Sequence, residues 1–174
     1  GAAPVMAEAP EEAAEMVAAA GALVLNIGTL SAAQVDAMLI AGRRANDLGI
    51  PVVLDPVGAG ATHFRTETAW RLLDALDVAV LKGNAGEIGV LAGTGGSVRG
   101  VDSSGVAGDP VETARECVRA TGTVVAMTGA VDVVADDRRV FLIRNGNPAM
   151  DRLSGTGCMA ASVTAAFAAV ADDY

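Results

Sequence analysis

The chain has 174 residues, with 12 basic and 21 acidic side chains, and a formal net charge of −9 at pH 7. This length fits one compact domain, and a hydrophobic content of 52% with 19% charged residues excludes an intrinsically disordered chain. Because the lysines and arginines form no basic cluster, the composition disfavours a general nucleic-acid-binding protein.

The apolar segments are too short for a membrane span. The most hydrophobic stretches, 17–27 and 159–171, contain Gly, Asn, Ser or Thr and fall short of the ~20 apolar residues of a transmembrane helix. No basic region followed by an apolar core opens the sequence, so no secretion signal is predicted. The two cysteines, Cys117 and Cys158, could pair, but so few cysteines favour free thiols in a reducing compartment. We therefore predict a cytoplasmic protein without membrane segments.

Helix and strand patterns alternate along the first half of the chain. Pro10 suits a first helical turn, Ser31 with Gln34 forms a potential capping box, and Thr66 is expected to cap a helix. The predicted elements are, in order, a helix over 11–20, a strand over 22–27, a helix after Ser31, a strand over 52–54, a helix over 67–76, a strand over 78–81 and a helix over 84–91.

The second half continues this alternation and then changes to a hairpin. The predicted elements are a glycine-rich loop over 92–109, a helix over 110–121, a strand over 123–127, hairpin strands over 131–135 and 140–144, and a last helix that opens at segment 154–158 and runs to about 171. Strands that alternate with helices pair in parallel. The sequence therefore predicts an α/β protein with a mostly parallel sheet and one domain over residues 1–174.

Acidic residues follow two of the predicted strands. Asp55 ends its strand in the segment LDPVGAGA, and Glu87 follows the next strand in LKGNAGE. In parallel sheets ligands bind at the carboxyl ends of the strands, and two carboxylates there could hold Mg²⁺ together with waters and substrate phosphates. The alternatives are a turn before proline for Asp55 and an exposed first-turn helix position for Glu87.

The segment SGTGC, residues 154–158, suggests an anion site at the start of the last helix. Glycines at a helix N-terminus leave backbone N–H groups free to surround an anion, although an ordinary glycine-rich junction has the same pattern. Cys158 lies in the predicted first turn, and its alternative is a buried packing residue, as predicted for Cys117. Thr128 and Gly129 follow a strand and could contact a second phosphate. The only histidine, His63, is predicted to be a surface loop residue.

Six short motifs occur in a fixed order along the chain. They are APVM (3–6), GALVLNIGTLS (21–31), PVVLDPVGAGAT with FRT around His63 (51–66), KGNAGEI (82–88), MTGAVDVVAD (127–136) and SGTGC (154–158). On these motifs the chain resembles the hydroxyethylthiazole kinase family of thiamine salvage over its whole length. The resemblance implies a ribokinase-like three-layer α/β/α fold and phosphorylation of the primary alcohol of 4-methyl-5-(2-hydroxyethyl)thiazole by ATP with Mg²⁺. It also implies a homotrimer with active sites at subunit boundaries.

The resemblance also implies a role for each matching residue. Cys158 would act as the catalytic base beside the reacting hydroxyl, where most ribokinase-like relatives carry an aspartate. The other implied roles are thiazole binding by Met6 and Gly155, ATP binding by Lys82, Asn84, Thr128, Thr156 and Gly157, and magnesium binding by Asp55 and Glu87, directly or through water.

The sequence departs from the family pattern at Lys82, where many members have an arginine, and at both ends. Lysine keeps the positive charge but lacks the planar fork that binds phosphate in a bidentate manner. Because the motifs begin and end close to the termini, we expect a fold shortened at both ends. One alternative to the hydroxyethylthiazole kinase is a non-catalytic ligand-binding relative. The other is a kinase for another small vitamin-precursor alcohol, and Cys158 in place of aspartate disfavours this second alternative.

Overall fold

The computed structural model describes residues 2–94 and 108–172, so most of the predicted loop over 92–109 lies outside the described part. The helices are α1 (Pro10–Ala18), α2 (Ala32–Asp47), α3 (His63–Ala75), α4 (Ala85–Leu91), α5 (Pro110–Thr121) and α6 (Thr156–Ala168), with a 3-10 helix over Pro148–Arg152. The strands are β1 (Leu23–Asn26), β2 (Val52–Asp55), β3 (Val80–Asn84), β4 (Val124–Thr128), β5 (Asp132–Ala135) and β6 (Val140–Ile143). The predicted alternation of strands and helices is therefore present.

The six strands form one sheet in which their spatial order is their order in the sequence. Strands β1 to β4 pair in parallel, and β5 and β6 pair in antiparallel fashion next to β4. The short continuous apolar runs over residues 52–54 and 78–81, which lead into the carboxyl ends of β2 and β3, explain this arrangement, because a strand covered on both faces needs apolar side chains on both. The predicted mostly parallel sheet and its terminal hairpin are both observed.

Helices cover the two faces of the sheet, which gives three layers in the described residues. On one face Leu54 and Leu81 belong to a core that also includes side chains from α2 to α5. On the other face Val53 and Val80 pack against Ala165 of α6. Because α6 contacts β1, β2 and β3, the end of the described chain lies against its earliest strands. No helix in the described residues is long and apolar enough to cross a membrane.

Hydroxyl side chains cap two of the helices, one as predicted and one at another residue. The Ser31 hydroxyl accepts a hydrogen bond from the Gln34 N–H at 3.3 Å, as expected at the start of α2. The prediction that Thr66 caps α3 is wrong, because Thr62 is extended and its hydroxyl accepts from the Arg65 N–H at 3.2 Å. Thr66 instead lies in the first turn of α3 and accepts from the Gly60 N–H.

Candidate functional site

Polar side chains gather at the carboxyl ends of β1, β2 and β3. Successive residues of a strand point to opposite faces, so Asp55 shares the face of Val53, and Lys82 shares the face of Val80. This is the face that α6 covers. Lys82 Nζ lies 3.6 Å from Asp55 Oδ1, and both side chains are buried. Residues Asn26, Asp55, Lys82, Glu87 and Cys158 are called the strand-end cluster from here on.

The Asp55 carboxylate has one satisfied and one unsatisfied oxygen. Its Oδ2 accepts a hydrogen bond from Asn26 Nδ2 at 3.0 Å, whereas Oδ1 is buried without a hydrogen-bond partner. Burial raises the pKa of Asp55 from 3.8 to about 6, Lys82 opposes this rise, and the negative charge of Glu87 adds to it. Asp55 ends β2 directly before Pro56 and a turn, as the alternative prediction has it, but only 1% of the residue is exposed.

Glu87 joins the loop after β2 to the start of α4. Its Oε2 accepts from the Asn84 N–H at 2.8 Å while Asn84 Oδ1 accepts from the Glu87 N–H at 2.9 Å, which forms a capping box. Its Oε1 accepts from the Gly58 N–H at 2.8 Å. Since only 3% of Glu87 is exposed, the alternative of an exposed helix position is wrong.

The N-terminus of α6 points its backbone amides at this cluster. The N-cap is Gly155, whose φ of +87° favours glycine, and it has no side chain to occupy the amides of the first turn. A Cβ on Gly157 would lie 3.1 Å from Lys82 Nζ, so only a glycine lets the helix come this close to the buried lysine without displacing it. The segment 154–158 therefore provides an amide-lined end next to a cation.

The two cysteines have opposite surroundings. Cys158 is exposed, so the alternative that it is a buried packing residue is wrong. Its Sγ accepts a hydrogen bond from Asn26 Nδ2 at 3.2 Å, the same nitrogen that binds Asp55. Cys117 is buried in α5 as predicted, and burial raises the pKa of its thiol to about 12.

The residues after β4 differ in part from the prediction. Thr128 is half-buried, and its hydroxyl donates to the Gly83 carbonyl oxygen at 3.3 Å. The Gly129 N–H, predicted to be open to a phosphate, instead donates to Asp132 Oδ1 at 2.9 Å, because the turn into β5 uses it. The free amide expected at Gly129 is therefore a wrong prediction.

Two further predicted residues lie away from the cluster. Met6 is 85% exposed ahead of α1, and no hydrogen bond among residues 2–94 and 108–172 joins it to the strand-end cluster. His63 lies on the surface as predicted, with Nε2 3.0 Å from Glu67 Oε1, but the prediction that it belongs to a loop is wrong, because it is the first residue of α3.

The sequence did not identify Asn26 and Arg65 as functional positions. Asn26 ends β1 opposite Asp55, so the strand-end rule applied to Asp55 would also have found it. Arg65 donates through Nη1 to the carbonyl oxygens of Ile27 at 2.9 Å and Val57 at 2.6 Å, and through Nη2 to Gly28 at 2.9 Å. It thereby ties together the loops after β1 and β2. No local pattern distinguishes Arg65 from a surface arginine.

The chemistry of the cluster fits a magnesium ion held mainly by its substrate. Within the described residues, no group of three or more His, Cys, Asp or Glu side chains is arranged as a complete metal site. The unsatisfied Oδ1 of Asp55 nevertheless provides a hard oxygen ligand, and Mg²⁺ bound with phosphates needs only one or two protein carboxylates.

A family model described as the hydroxyethylthiazole kinase family matches residues 1–174. The chain belongs to the hydroxyethylthiazole kinase family. This finding confirms the resemblance based on the six motifs.

Individual members of the hydroxyethylthiazole kinase family are close in sequence and in fold. The protein named hydroxyethylthiazole kinase from Methanoculleus marisnigri is 87% identical over the whole chain, and that from Methanosphaerula palustris is 68% identical over 99% of it. The chain spans 62% and 65% of their lengths. A solved structure of a hydroxyethylthiazole kinase protein from Pyrococcus horikoshii OT3 has a TM-score of 0.88 and 47% identity, covering 98% of this chain and 63% of that one. This likeness confirms the predicted α/β fold.

Proposed function

We propose that the protein transfers the terminal phosphoryl group of ATP to the primary alcohol of 4-methyl-5-(2-hydroxyethyl)thiazole, in the cytoplasm. The observation that carries the proposal is the meeting of a buried lysine, a buried carboxylate with an unsatisfied oxygen, and the amide-lined start of α6. Phosphoryl transfer depends mainly on positioning and on neutralising the charge of the phosphate, and these groups supply both.

The phosphate-binding part of the proposal rests on Lys82 and α6. The Lys82 ammonium lies beside Gly157, so an anion that contacts the amides of Thr156 and Gly157 would also contact the lysine. The dipole of α6 adds positive potential at the same point. Thr128 would donate its hydroxyl to an ATP phosphate in place of the Gly83 carbonyl oxygen that it contacts here, and Asn84 would support this region by holding the start of α4.

Asp55 and Glu87 would organise the magnesium ion. Asp55 would provide Oδ1 as a ligand, whereas both oxygens of Glu87 already accept backbone N–H groups. Glu87 would therefore act through water, through its negative charge beside Asp55 and by fixing the Gly58 loop. The bound ion would neutralise charge on the phosphates of ATP.

Cys158 would accept the proton of the substrate hydroxyl, which the Gly155 backbone would help to place. The loose transition state of phosphoryl transfer makes the demand for a strong base small, so we rank the contribution of the α6 amides above that of the thiol. Removing one preorganised donor of this kind typically costs on the order of 10²-fold in rate.

Met6 would line the thiazole pocket of a homotrimer with active sites at subunit boundaries. It is exposed here, as a residue that completes a neighbouring site would be in a single subunit. Exposed apolar side chains on the edge strand β6, Phe141 and Leu142, and on α6, Val163 and Phe167, also support assembly. We expect light scattering to give three times the 17.3 kDa subunit mass.

A direct turnover measurement tests the proposed function. The purified chain, at a concentration at which its oligomeric state has been measured, is incubated with the thiazole alcohol and MgATP, and thiazole phosphate is quantified by mass spectrometry. Product formation that Asp55→Ala abolishes would support the proposal. Binding of both ligands without product would instead support the non-catalytic relative, and faster turnover of another vitamin-precursor alcohol would reassign the substrate.

A further inference from the structure

We propose that Asn26 is a positioning residue, whose side-chain amide holds the Cys158 thiol and the Asp55 carboxylate in one fixed arrangement. This inference rests on the proposed function, which assigns Cys158 and Asp55 to the reaction. Asn26 itself is not placed in contact with substrate or phosphate.

The hydrogen bonds of Asn26 use both N–H groups of its amide. Nδ2 donates to Asp55 Oδ2 at 3.0 Å and to Cys158 Sγ at 3.2 Å. Oδ1 accepts from the Gly28 N–H at 2.8 Å, which fixes the amide with its oxygen toward the loop and its nitrogen toward the cluster. The orientation of the side chain is therefore determined by three separate partners.

The two donated bonds have different consequences for the reacting groups. The bond to Oδ2 holds one oxygen of Asp55 and leaves the buried Oδ1 as the oxygen that faces Lys82. The bond to Sγ fixes the position of the sulfur relative to the Asp55 carboxylate, because the same nitrogen donates to both. A serine at this position has one O–H group and could donate to at most one of these partners, and an alanine would supply neither a donor to them nor an acceptor for the Gly28 N–H.

The bond to Cys158 also joins two distant parts of the chain. Asn26 and Cys158 are 132 residues apart, at the end of β1 and in the first turn of α6. The buried side chains of α6 are three alanines. Because alanine is small, these side chains interlock little with the sheet and do not fix the position of the helix along it. A directional bond at its first turn therefore defines where the thiol lies.

Alkylation of Cys158 tests this inference without any need for turnover. The 174-residue chain and its variants react with iodoacetamide near neutral pH, and mass spectrometry follows the modification of each cysteine. We expect Asn26→Ala and Asn26→Ser to change the rate of Cys158 alkylation about fivefold, because the sulfur loses the hydrogen bond that holds it at the end of β1.

A matched control is available at Asn46. This half-buried asparagine bonds through its side chain to the backbone of Asp77, 31 residues away, so Asn46→Ala removes a comparable set of bonds. We expect Asn46→Ala to leave alkylation of Cys158 at the parental rate. Cys117 reports on folding in every sample, because it is buried and becomes reactive only when the chain opens.

Asn26→Ser serves as the second variant if Asn26→Ala does not fold, because its hydroxyl oxygen can accept from the Gly28 N–H and it adds no charge beside Asp55. Alkylation of Cys158 at the parental rate in the folded variants would overturn the inference. Reactive Cys117 in both variants would also overturn it, because Asn26 would then be needed for folding rather than for positioning.

Kinetics separate this inference from the proposed function. In an active parent, Asn26→Ala should lower kcat by about tenfold or more and change KM for MgATP by about twofold or less, as expected for a residue that acts on the reacting groups. A parental kcat would overturn the role in the reaction. An inactive parent whose Cys158 alkylation still depends on Asn26 would mean that the positioning is correct and the proposed function is wrong.

Discussion

Asp55 lies at a position that disfavours its own charge. It is almost completely buried, and of its two oxygens only Oδ2 receives a hydrogen bond. Lys82 is 3.6 Å from Oδ1, beyond the distance of a strong hydrogen bond, so its compensation is incomplete. A divalent cation bound to Oδ1 would compensate the remaining negative charge of the buried Asp55 carboxylate, which is the physical reason to expect a cation here.

The raised pKa of Asp55 predicts an unusual dependence of stability on pH. The value of about 6 in the folded chain lies above the unfolded value of 3.8, so the folded state retains the proton more strongly. The resulting stabilisation is present below about pH 4 and is lost as the pH rises through 6. Relative to Asp55→Asn, the parent should therefore lose up to roughly 3 kcal/mol of unfolding free energy across this range.

Urea denaturation with a chelator present, repeated at several pH values from about 4 to about 7, checks this prediction. Asp136, whose pKa is lowered to about 2 by the N–H groups and side chain of nearby arginines, is present in both proteins and cancels in the difference. A difference that stays constant with pH would mean that Asp55 is ionised throughout.

Arg65 acts on the site through the backbone of two loops. Its guanidinium reaches three carbonyl oxygens, a pattern that the planar fork of arginine fits and the single ammonium of lysine does not. We predict that Arg65→Lys lowers the unfolding free energy by about 1–3 kcal/mol, since partly buried carbonyl groups lose donors.

The control for Arg65→Lys is Arg71→Lys. Arg71 forms an exposed ion pair with Asp36 at 3.5 Å, and exposed pairs of this kind contribute little to stability. Equal losses of unfolding free energy for the two variants in urea denaturation would show that the loop contacts of Arg65 stabilise the protein no more than an exposed ion pair does.

The start of α6 packs close to Lys82 of β3, and the absence of a side chain at Gly157 leaves space for the lysine ammonium. Gly157 has no side chain where a Cβ would meet Lys82 Nζ at 3.1 Å. In an isolated helix alanine would be the better residue, by roughly 1 kcal/mol. Gly157 therefore leaves space for Lys82 but lowers the intrinsic stability of α6.

Replacing this glycine should weaken nucleotide binding without unfolding the protein. We predict that Gly157→Ala raises the dissociation constant of MgATP roughly fivefold, because the buried lysine must shift by a few tenths of an ångström. Calorimetric titration of Gly157→Ala, Lys82→Ala and the double variant checks the mechanism. Additive effects in the double variant would mean that Gly157 does not act through Lys82.

The alternation of side chains along the strands made much of the strand-end cluster predictable from sequence. The contacts between cluster residues that are distant in sequence did not follow from any local pattern. Asp55 and Lys82 come two residues after core valines, so their shared face follows from the pleat once the register is known. Glu87 was found because it follows a predicted strand in LKGNAGE, but its burial depends on the Gly58 loop, which is distant in sequence. By sequence alone Thr62 and Thr66 are equally good N-cap residues for α3, and the choice between them depends on where the preceding loop ends.

Across the whole molecule, the layer formed by α6 is the least firmly held part of the site. Its buried side chains are Ala161, Ala165 and Ala168, which bury far less apolar area than the leucines, isoleucine and valines of the opposite face. The helix nevertheless contributes the amides and the thiol of the proposed reaction. The stability of the site is therefore lower than the stability of the sheet.

Hydrogen exchange should reveal this difference directly. We predict that amides of α6 exchange faster than those of β2 and β3, and that MgATP slows α6 more than it slows α5, because local opening of a weakly packed helix precedes global unfolding. Mass spectrometry of peptic fragments gives these rates. Exchange of α6 and β2 in a single step, with or without nucleotide, would contradict the prediction.

The hydrogen bond between Asn26 and Cys158 has a consequence for biosynthesis. One partner is made at the end of the first strand, and the other 132 residues later. A nascent chain that has emerged from the ribosome only as far as the hairpin already carries the aspartate, the lysine and the glutamate. It still lacks the thiol and the amides of α6, so the centre is assembled only when α6 is released from the exit tunnel.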